Sequence, residues 1–376
     1  MTDYPVRLLT QMLDIYSPSG KEQEISRLLY EEMQKHGFKV RRDDVGNVIG
    51  EAGKGSPVIL LCGHMDTVAG FIPVRIEGDR IYGRGAVDAK ASLAALIVAA
   101  SAFVDEKSAK IVVACVVDEE GKSRGVKNLI KEKIAADYAI FGEPSGVDKI
   151  TIGYKGDLRI EITCKTIGGH SAAHWLYENA VEKSIEIWNE IRKIRMTVKK
   201  MEGNNGHFYE LDTCLTGIKG GKGDSTVPSK CKMILDFRIP PPMNAAQVVN
   251  EVHKVVKEYQ KTNSKVSVKV KVRDFVEPFE ADPKSPVVKA LSRSIREVKN
   301  RTPILLRKTG TGDMNIFGKE TNIPVVTYGP GDPALSHTEN EYIVIQEYLD
   351  SIEIYKRTIN KLTEFHRSAQ TVSPPR

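Results

Sequence analysis

The sequence predicts an α/β protein in which a mostly parallel sheet forms the main domain and a smaller ferredoxin-like domain is inserted into it. Apolar strand-like runs alternate with helical segments before residue 154 and again after residue 280, as in parallel sheets covered by helices. Between these positions the predicted elements follow the order β-α-β-β-α-β, which is that of a ferredoxin-like unit. We therefore predict a main domain of residues 1–154 and 281–376 and an inserted domain of residues 155–280.

The first part of the main domain should begin with helices and continue with alternating strands and helices. An amphipathic first segment precedes a second helix, for which Ser19 is the predicted N-cap and Gly37 the end. Strands are predicted at residues 39–42, 48–51, 58–62, 110–117 and 138–141. Helices are predicted from about residue 89 and at residues 124–133. This alternation favours a parallel sheet with covering helices.

The inserted domain and the last part of the chain also show strand-like and helical patterns. In the inserted domain we predict strands at residues 158–166, 211–219, 231–239 and 266–272, with helices at 180–194 and 245–259. The α/β pattern resumes with a helix at 287–298, strands at 303–306 and 323–328, and a final helix at 342–363. Residues 369–376 are predicted to be disordered.

Composition excludes several classes of protein. The net charge of +6 is small for 376 residues, and the basic run at 265–273 alternates with valine as a solvated edge strand does, so we predict no nucleic-acid partner. No apolar stretch approaches the ~20 residues of a membrane helix, and no signal peptide is predicted. Five isolated cysteines favour buried, reduced thiols. We therefore expect a cytoplasmic protein with no membrane contact.

A histidine and an aspartate follow the strongest predicted strand. His64 and Asp66 stand two residues apart at the end of the apolar run 58–62. Residues i and i+2 of an extended chain point to the same side, so the carboxylate of Asp66 can accept the second N–H of the His64 ring. A histidine that binds a metal is commonly oriented by such an acceptor. Alone, this pattern is more often structural than functional.

Four more acidic residues and one more histidine follow other predicted strands or precede a helix: Asp88, Glu119, Glu120, Glu143 and His337. Open α/β sheets bind ligands at the carboxyl ends of their strands, so these side chains should meet at one edge. Imidazole and carboxylate groups suit zinc, and two metals ~3.5–4 Å apart need a bridging ligand. One glutamate of the 119–120 pair would then remain as a general base. Each residue alone has a structural alternative, such as a helix cap or a solvated turn.

Taken together, five ordered motifs resemble those of the dinuclear zinc amidohydrolases that include acetylornithine deacetylase, succinyl-diaminopimelate desuccinylase and carboxypeptidase G. The motifs are Gly-His-Met-Asp-Thr-Val at 63–68, Gly-Arg-Gly-Ala-Val-Asp-Ala-Lys at 83–90, Asp-Glu-Glu-Gly at 118–121, Gly-Glu-Pro-Ser at 142–145 and Ser-His at 336–337. The resemblance covers nearly the whole chain and implies a hydrolase of linear amide C–N bonds that needs two divalent metal ions per subunit, zinc or cobalt.

The resemblance also implies a role for each residue. His64 and Glu143 are expected to bind one metal, Glu120 and His337 the other, and Asp88 to bridge the two. Glu119 is expected to act as the general base and then as the proton donor to the leaving amine, while Asp66 orients His64. The inserted domain is expected to act as a lid and to form a homodimer. His170 is expected to reach the partner's active site and stabilise the oxyanion, and Arg238 to bind a substrate carboxylate.

A narrower similarity concerns the substrate. The segments at 72–75, 81–90, 142–146, 152–156 and 328–332 look like those of the hydrolases that release lysine or ornithine from a small acidic amino-group carrier protein. This implies cleavage at the γ-carboxyl of the carrier's terminal glutamate, in lysine and arginine biosynthesis. The alternatives are a deacetylase, desuccinylase or dipeptidase acting on a small N-acyl amino acid, and a dimeric binding protein that has lost catalysis.

Overall fold

The computed structural model describes residues 3–194 and 207–372. The chain forms two compact units: unit 1 comprises Met1–Gly153, Ala281–Leu306 and Gly312–Arg376, and unit 2 comprises Tyr154–Glu280 and Arg307–Thr311. Among the described residues, no helix combines the length and apolar character that a membrane span requires.

The helices and strands alternate through most of the chain. In chain order the helices are α1 (Tyr4–Asp14), α2 (Gln23–Lys35), α3 (Lys90–Ser101), α4 (Arg124–Lys131), α5 (Ala180–Ile191), α6 (Ala245–Thr262), α7 (Pro286–Lys299), α8 (Asp313–Glu320) and α9 (Ile345–Val372). The strands are β1 (Lys39–Arg42), β2 (Val48–Lys54), β3 (Val58–His64), β4 (Arg75–Glu77), β5 (Arg80–Tyr82), β6 (Ala109–Val116), β7 (Tyr138–Gly142), β8 (Lys149–Tyr154), β9 (Gly156–Lys165), β10 (Asp212–Gly220), β11 (Lys230–Ile239), β12 (Ser267–Val276), β13 (Phe279–Glu280), β14 (Ile304–Lys308), β15 (Val325–Tyr328) and β16 (Tyr342–Val344).

The large sheet of unit 1 confirms the predicted α/β class. Its strands lie in the order β1-β2-β6-β3-β7-β15-β8, and the four central strands β6, β3, β7 and β15 are parallel. The central strands are apolar on both faces and almost completely buried, as expected when helices cover both sides of a sheet. The parallel arrangement brings the carboxyl ends of β6, β3, β7 and β15 to one edge.

Helix α3 packs directly against these strands. All but the last of its residues are buried, and most of them are alanine, leucine, isoleucine or valine. Two strand glycines allow this close packing, because a Cβ added at Gly63 would lie 3.3 Å from Leu93 Cδ1 and one added at Gly142 would lie 2.8 Å from Leu96 Cδ1. Gly63 and Gly142 each precede a residue of the predicted site, so this packing also fixes where those residues stand.

Unit 2 has the predicted element order β-α-β-β-α-β. Its antiparallel sheet has the order β10-β11-β9-β12, and α5 and α6 pack on one face through a core that includes Leu158, Ile187 and Phe237. Helix α6 begins with a capping box, in which the side chains of Asn244 and Gln247 each bond the other's backbone N–H. The opposite face of the sheet carries polar side chains, and no described helix packs on it.

Several predicted elements need correction. Ser19 is not a helix N-cap, because α2 begins at Gln23 and the Ser19 hydroxyl bonds the carboxylate of Asp66 instead. The predicted helix at 342–363 begins only at Ile345, because residues 342–344 form β16 and pair with β5. Residues 369–372 extend α9 rather than being disordered, and the rest of that predicted tail lies outside the described residues. Helix α8 and strands β4, β5 and β8 were not predicted.

Candidate metal centre

The edge of the unit 1 sheet carries the residues that the sequence analysis singled out. His64 is the last residue of β3, and Glu143 directly follows β7. Glu119 and Glu120 stand in the turn after β6, and Asp88 lies two residues before the first residue of α3. His337 lies in the loop after β15, where its φ of +63° is unusual for a residue other than glycine.

One group of three ligands forms around His64. Its Nε2 atom lies 3.3 Å from Asp88 Oδ1 and 3.4 Å from Glu143 Oε1. The imidazole is almost fully buried, whereas the two carboxylates are partly accessible. Their ligand atoms all lie within 4.8 Å of one another, which is close enough for one metal ion to bind all three.

A second group of three ligands shares Asp88 with the first. His337 Nε2 lies 3.2 Å from Asp88 Oδ2 and 2.8 Å from Glu120 Oε1. The two oxygens of Asp88 therefore face different histidines, with Oδ1 toward His64 and Oδ2 toward His337. A carboxylate in this position can bridge two cations, one in each group. Glu119 belongs to neither group.

Asp66 contacts His64 in a different way from the one predicted. The Nδ1 atom of His64 lies 2.9 Å from the backbone oxygen of Asp66, while the nearer carboxylate oxygen lies at 3.6 Å. The Asp66 carboxylate instead accepts the backbone N–H groups of Glu119 and Glu120 at 3.1 and 3.2 Å, and the Ser19 hydroxyl at 2.6 Å. Asp66 therefore orients the histidine mainly through its backbone and fixes the turn of the two glutamates through its side chain.

Glu341 holds the loop that carries Asp88. Its Oε1 atom accepts the backbone N–H groups of Gly85, Val87 and Asp88 at 3.1, 2.8 and 2.9 Å. Its Oε2 atom accepts a hydrogen bond from Arg84 Nη1 at 2.9 Å, and the side chains of both residues are buried. We call this set of contacts the Glu341 clamp. Sequence reasoning missed it because Glu341 stands far from Asp88 in the chain and belongs to no local pattern.

The electrostatics of the edge follow from crowded, buried acids. Burial raises the pKa of Glu119 well above its usual value, and the charges of Glu143, Asp313 and Glu120 act in the same direction. Burial opposes the charged form of His64, but Glu143, Asp66 and Asp88 outweigh it and raise the pKa of the imidazole. The hydrogen bond to Asp88 raises the pKa of His337 to about 9. The acids thus favour the protonated forms of both histidines, and the charge of His64 in turn opposes the rise in the pKa of Glu119.

Two further buried charged groups lie in unit 1 and were not predicted. Asp313, the first residue of α8, is buried, and neither of its carboxylate oxygens has a hydrogen-bond partner of normal geometry among the described residues. Burial raises its pKa to about 7, against the opposing influence of the Ser123 hydroxyl. Lys90, at the start of α3, is buried and donates hydrogen bonds to the backbone oxygens of Met12 and Ile15 at 3.0 and 2.6 Å, which ties the end of α1 to α3.

The residues at this edge fit two divalent metal ions. Two imidazole nitrogens and three carboxylates are donors that zinc and cobalt accept, and the shared Asp88 would supply the bridge. His64, Asp88 and Glu143 would hold one ion, and Asp88, Glu120 and His337 the other. The excess of buried carboxylate charge in this region also favours cations of charge +2.

The two remaining predicted site residues lie in unit 2. His170 is exposed, and its Nδ1 atom accepts the backbone N–H of Ala172 at 3.1 Å, which caps a short 3-10 helix. Arg238 lies on β11 and forms ion pairs with Asp236 at 3.1 Å and with Asp157 at 3.7 Å. Neither residue belongs to the two ligand groups of unit 1.

Comparison with known proteins gives relatives of nearly full length. A LysW-lysine/LysW-ornithine hydrolase of Sulfurisphaera tokodaii is 35% identical over 94% of this chain and 94% of that protein. A protein of the same name from Saccharolobus islandicus is 32% identical over 94% of this chain and 95% of that protein. These relatives extend across both units of the structure.

Solved structures share the fold. A metallo-carboxypeptidase of the M20 family from Sulfolobus solfataricus has a TM-score of 0.78 with 21% identity, covering 96% of this chain and 100% of that one. The aminopeptidase PepT of Bacillus cereus has a TM-score of 0.80 with 21% identity, covering 95% and 98% of the two chains. The model of the peptidase family M20/M25/M40 matches residues 60–361. The chain therefore belongs to the peptidase family M20/M25/M40 and is a metal-binding hydrolase of amide bonds.

Proposed function

We propose that this hydrolase releases lysine or ornithine from the γ-carboxyl of the terminal glutamate of a small acidic amino-group carrier protein, in lysine and arginine biosynthesis. The observation that carries the chemistry is the pair of ligand groups that share Asp88 and leave Glu119 outside both. The substrate is supported by the relatives of nearly full length whose names state hydrolysis of LysW-lysine and LysW-ornithine.

Two divalent ions bound at this edge would supply Lewis acidity toward the amide carbonyl and the attacking water. Glu119 accepts the proton of that water, because its raised pKa brings it closer to the operating pH than an ordinary glutamate. The same carboxyl then donates the proton to the departing amine. Asp66 holds Glu119 in place through the backbone N–H of that residue. His64 keeps its Nε2 atom directed at the ligands because the backbone oxygen of Asp66 accepts from Nδ1.

The remaining parts of the proposal concern the metals, the assembly and the location. We propose zinc or cobalt as the two ions, because the donor set combines imidazole with carboxylate. We propose that the segment 155–280 acts as a lid and forms a homodimer, in which His170 of one subunit stabilises the oxyanion in the other and Arg238 binds a substrate carboxylate. We also propose a cytoplasmic location, where the biosynthetic substrate would be made.

The substrate is tested by comparing three compounds on the zinc- or cobalt-loaded enzyme. These are the loaded carrier protein, free γ-glutamyl-lysine and N-acetylornithine. We expect the highest kcat/KM for the carrier, measured by release of the free amino acid. Rapid hydrolysis of N-acetylornithine with none of the carrier would replace this proposal with a small-molecule deacylase.

The general base is tested by Glu119→Gln. The amide keeps the shape of the side chain but cannot take a proton, so we expect kcat to fall by at least about a hundredfold while both metals remain bound. Metal content by elemental analysis is measured beside turnover. The matched control is Glu339→Gln, an exposed glutamate outside both ligand groups, which should leave both quantities unchanged. Loss of metal from Glu119→Gln would mean that Glu119 is a ligand rather than the base.

The role of His170 is tested by mixing inactive subunits. Subunits with His170→Ala and subunits with Glu119→Gln each lack one of the two proposed groups. If His170 acts on the partner's site, mixed dimers of the two variants contain one intact site and should recover part of the wild-type rate. Verified mixed dimers with no recovered activity would contradict this role.

A further inference from the structure

The face of the unit 2 sheet that no described helix covers has an unusual distribution of charge. Side chains that alternate with the core residues of β9 and β11 point to this face, among them Lys165, Lys230 and Lys232. Lys219 of β10 joins them, because it pairs directly with Lys232. Lys222 follows in the turn between β10 and β11. We call these five lysines the lysine patch, and all of them are exposed.

The register of the strands places like charges directly opposite each other. Lys219 pairs with Lys232 across β10 and β11, and Lys230 pairs with Lys165 across β11 and β9. Like charges in directly opposed positions destabilise a sheet by a few tenths of a kcal/mol or more per pair. Only Lys232 has a carboxylate partner among the described residues, at 3.3 Å from Glu161. Four of the five patch lysines therefore have no ion-pair partner among the described residues, and the two opposed pairs are locally unfavourable.

The other end of the same face shows that these strands accommodate complementary charges. There Arg159 lies opposite Asp236, and Asp157 lies opposite Arg238. The corresponding ion pairs have distances of 3.8 and 3.7 Å. Because one end of the face is balanced by opposed acids and bases, the excess of lysine at the other end is a local feature and not a general property of the sheet.

The shape of the patch favours a ligand with several negative charges. Lys219, Lys222, Lys230 and Lys232 line an open depression of about 620 Å³, in which Asp224 is the lining carboxylate. The lysines belong to three neighbouring strands and the turn that joins two of them, so they extend across ~10 Å. This is wider than one phosphate or carboxylate group. The residues that line the depression include no aromatic ring on which a nucleotide base would stack.

We propose that the lysine patch is a docking surface for an acidic protein. A polypeptide surface with several spaced aspartate or glutamate side chains matches the width and the sign of the patch, and the absence of stacking rings among its lining residues makes nucleic acid the poorer occupant. This inference rests on the proposed function in one respect, because that function supplies the occupant, namely the acidic carrier protein. The contacts would be long-range and salt-sensitive, which mainly accelerates association.

The test variant is Lys219→Gln/Lys230→Gln, in which neither lysine has an ion-pair partner among the described residues. The matched control is Lys257→Gln/Lys265→Gln, which removes the same charge from α6 and the turn after it. For the loaded carrier we expect the test variant to lose kcat/KM by about tenfold, with kcat within twofold and a weaker dependence on salt. Hydrolysis of γ-glutamyl-lysine should not change in either variant. The unfolding temperature of the test variant should not fall, because its substitutions remove like-charge pairs.

Direct binding separates the failure of this proposal from the failure of the proposed function. Poly-L-glutamate should bind the wild type and the control variant, and should bind the test variant at least about fivefold more weakly. If the wild type does not hydrolyse the carrier, the proposed function fails and poly-L-glutamate binding alone decides the docking surface. Equal kcat/KM of test and control variants on a carrier that is hydrolysed would overturn the docking surface alone. Preferential binding of duplex DNA that is lost in the test variant would also overturn it.

Discussion

At the residue scale, the carboxylate of Glu341 controls the position of Asp88. It accepts three backbone N–H groups of the 85–88 loop and the guanidinium of Arg84 in a buried environment. In Glu341→Gln the new side-chain NH2 group would face Arg84 in place of a carboxylate oxygen. The buried arginine would then lose the negative charge that balances it. Breaking a buried ion pair on one side costs about 3–5 kcal/mol.

We therefore expect Glu341→Gln to unfold at lower denaturant concentration and to bind its metals at least about tenfold more weakly, because the bridging ligand is no longer held. Equilibrium unfolding and metal content after dialysis measure the two effects. The exposed Glu339→Gln, two residues away, is the control. Wild-type stability and metal content in Glu341→Gln would show that the clamp does not position Asp88.

The titration of the buried Asp313 carboxyl makes the free energy of unfolding depend on pH. The carboxyl's pKa of about 7 in the folded state lies above the ordinary value of 3.8. Between these two pH values, the folded state therefore holds a proton that the unfolded state has lost. The stability that this protonation contributes is complete below pH 3.8 and is lost as the pH rises through about 7. At higher pH the buried carboxylate is charged, and no described residue gives it a hydrogen bond of normal geometry.

In metal-free protein, Asp313→Asn should therefore be more stable than the wild type at about pH 8, by ~2–4 kcal/mol, and the difference should shrink toward about pH 5. Urea unfolding at several pH values measures this difference. Asp105→Asn, on the exposed surface, should show no such trend. A difference that is the same at every pH would show that Asp313 does not titrate in this range.

Sequence reasoning reached the ligand residues because each follows a recognisable strand or precedes a recognisable helix, and parallel strands end at one edge. It did not reach the contacts that fix them. The Ser19 hydroxyl bonds Asp66, and Asp66 bonds the turn of Glu119 and Glu120. These contacts join segments about 50 residues apart, with separations of 47, 53 and 54 residues, and no periodic pattern encodes them. The roles of the ligands themselves remain predictions until metal binding is measured.

At the scale of elements, the contact between α3 and the sheet sets the position of Glu143. Gly142 ends β7, and a Cβ at that position would lie 2.8 Å from Leu96 Cδ1 and 3.4 Å from Ser92 Cβ. Gly142→Ala should therefore push the strand end and the helix apart. We expect a loss of about 1–3 kcal/mol in the free energy of unfolding, together with weaker metal binding through Glu143.

Urea unfolding and metal titration measure both effects of Gly142→Ala. The control is Gly310→Ala, because a Cβ at Gly310 meets no atom of the described residues within 4 Å. If Gly142→Ala lowers stability but leaves metal affinity unchanged, the packing of α3 does not determine where Glu143 stands.

The elements that were predicted from the sequence differ from those that were missed in their length and in how far apart in the chain their contacting segments lie. The buried strands β3, β6 and β7 and the apolar helix α3 have strong local patterns. The strands β4, β5 and β16 have only three residues each, and they form a separate three-stranded sheet through contacts between distant segments. The pairing of β16 with β5 overrides the helical pattern that runs through residues 342–344.

At the scale of the whole molecule, metal binding and folding should be linked. The carboxylates that lie near the two histidines of unit 1 repel one another unless cations or bound protons reduce their charge. Metal ions that bind only the folded state therefore stabilise it by mass action. Removal of metal by a chelator should therefore lower the unfolding temperature. Addition of zinc or cobalt should restore it, with ~4 kcal/mol gained at a thousand times Kd.

Calorimetry of the dialysed protein with and without added metal measures this linkage. Magnesium chloride at the same ionic strength is the control, because magnesium prefers oxygen ligands and keeps much of its water. An unfolding temperature that does not respond to chelation or to zinc would contradict a metal site built from these two ligand groups.

The Glu341 clamp has a consequence for the order in which the protein can become active during synthesis. His64, Asp88, Glu120 and Glu143 are synthesised before residues 155–280, whereas His337 and Glu341 are synthesised after them. Until residue 341 emerges, the amides of the 85–88 loop lack their acceptor, and one ligand group lacks its histidine. The nascent chain thus carries most of the ligands but cannot assemble the full centre, and hydrolytic competence arises only when the chain is nearly complete.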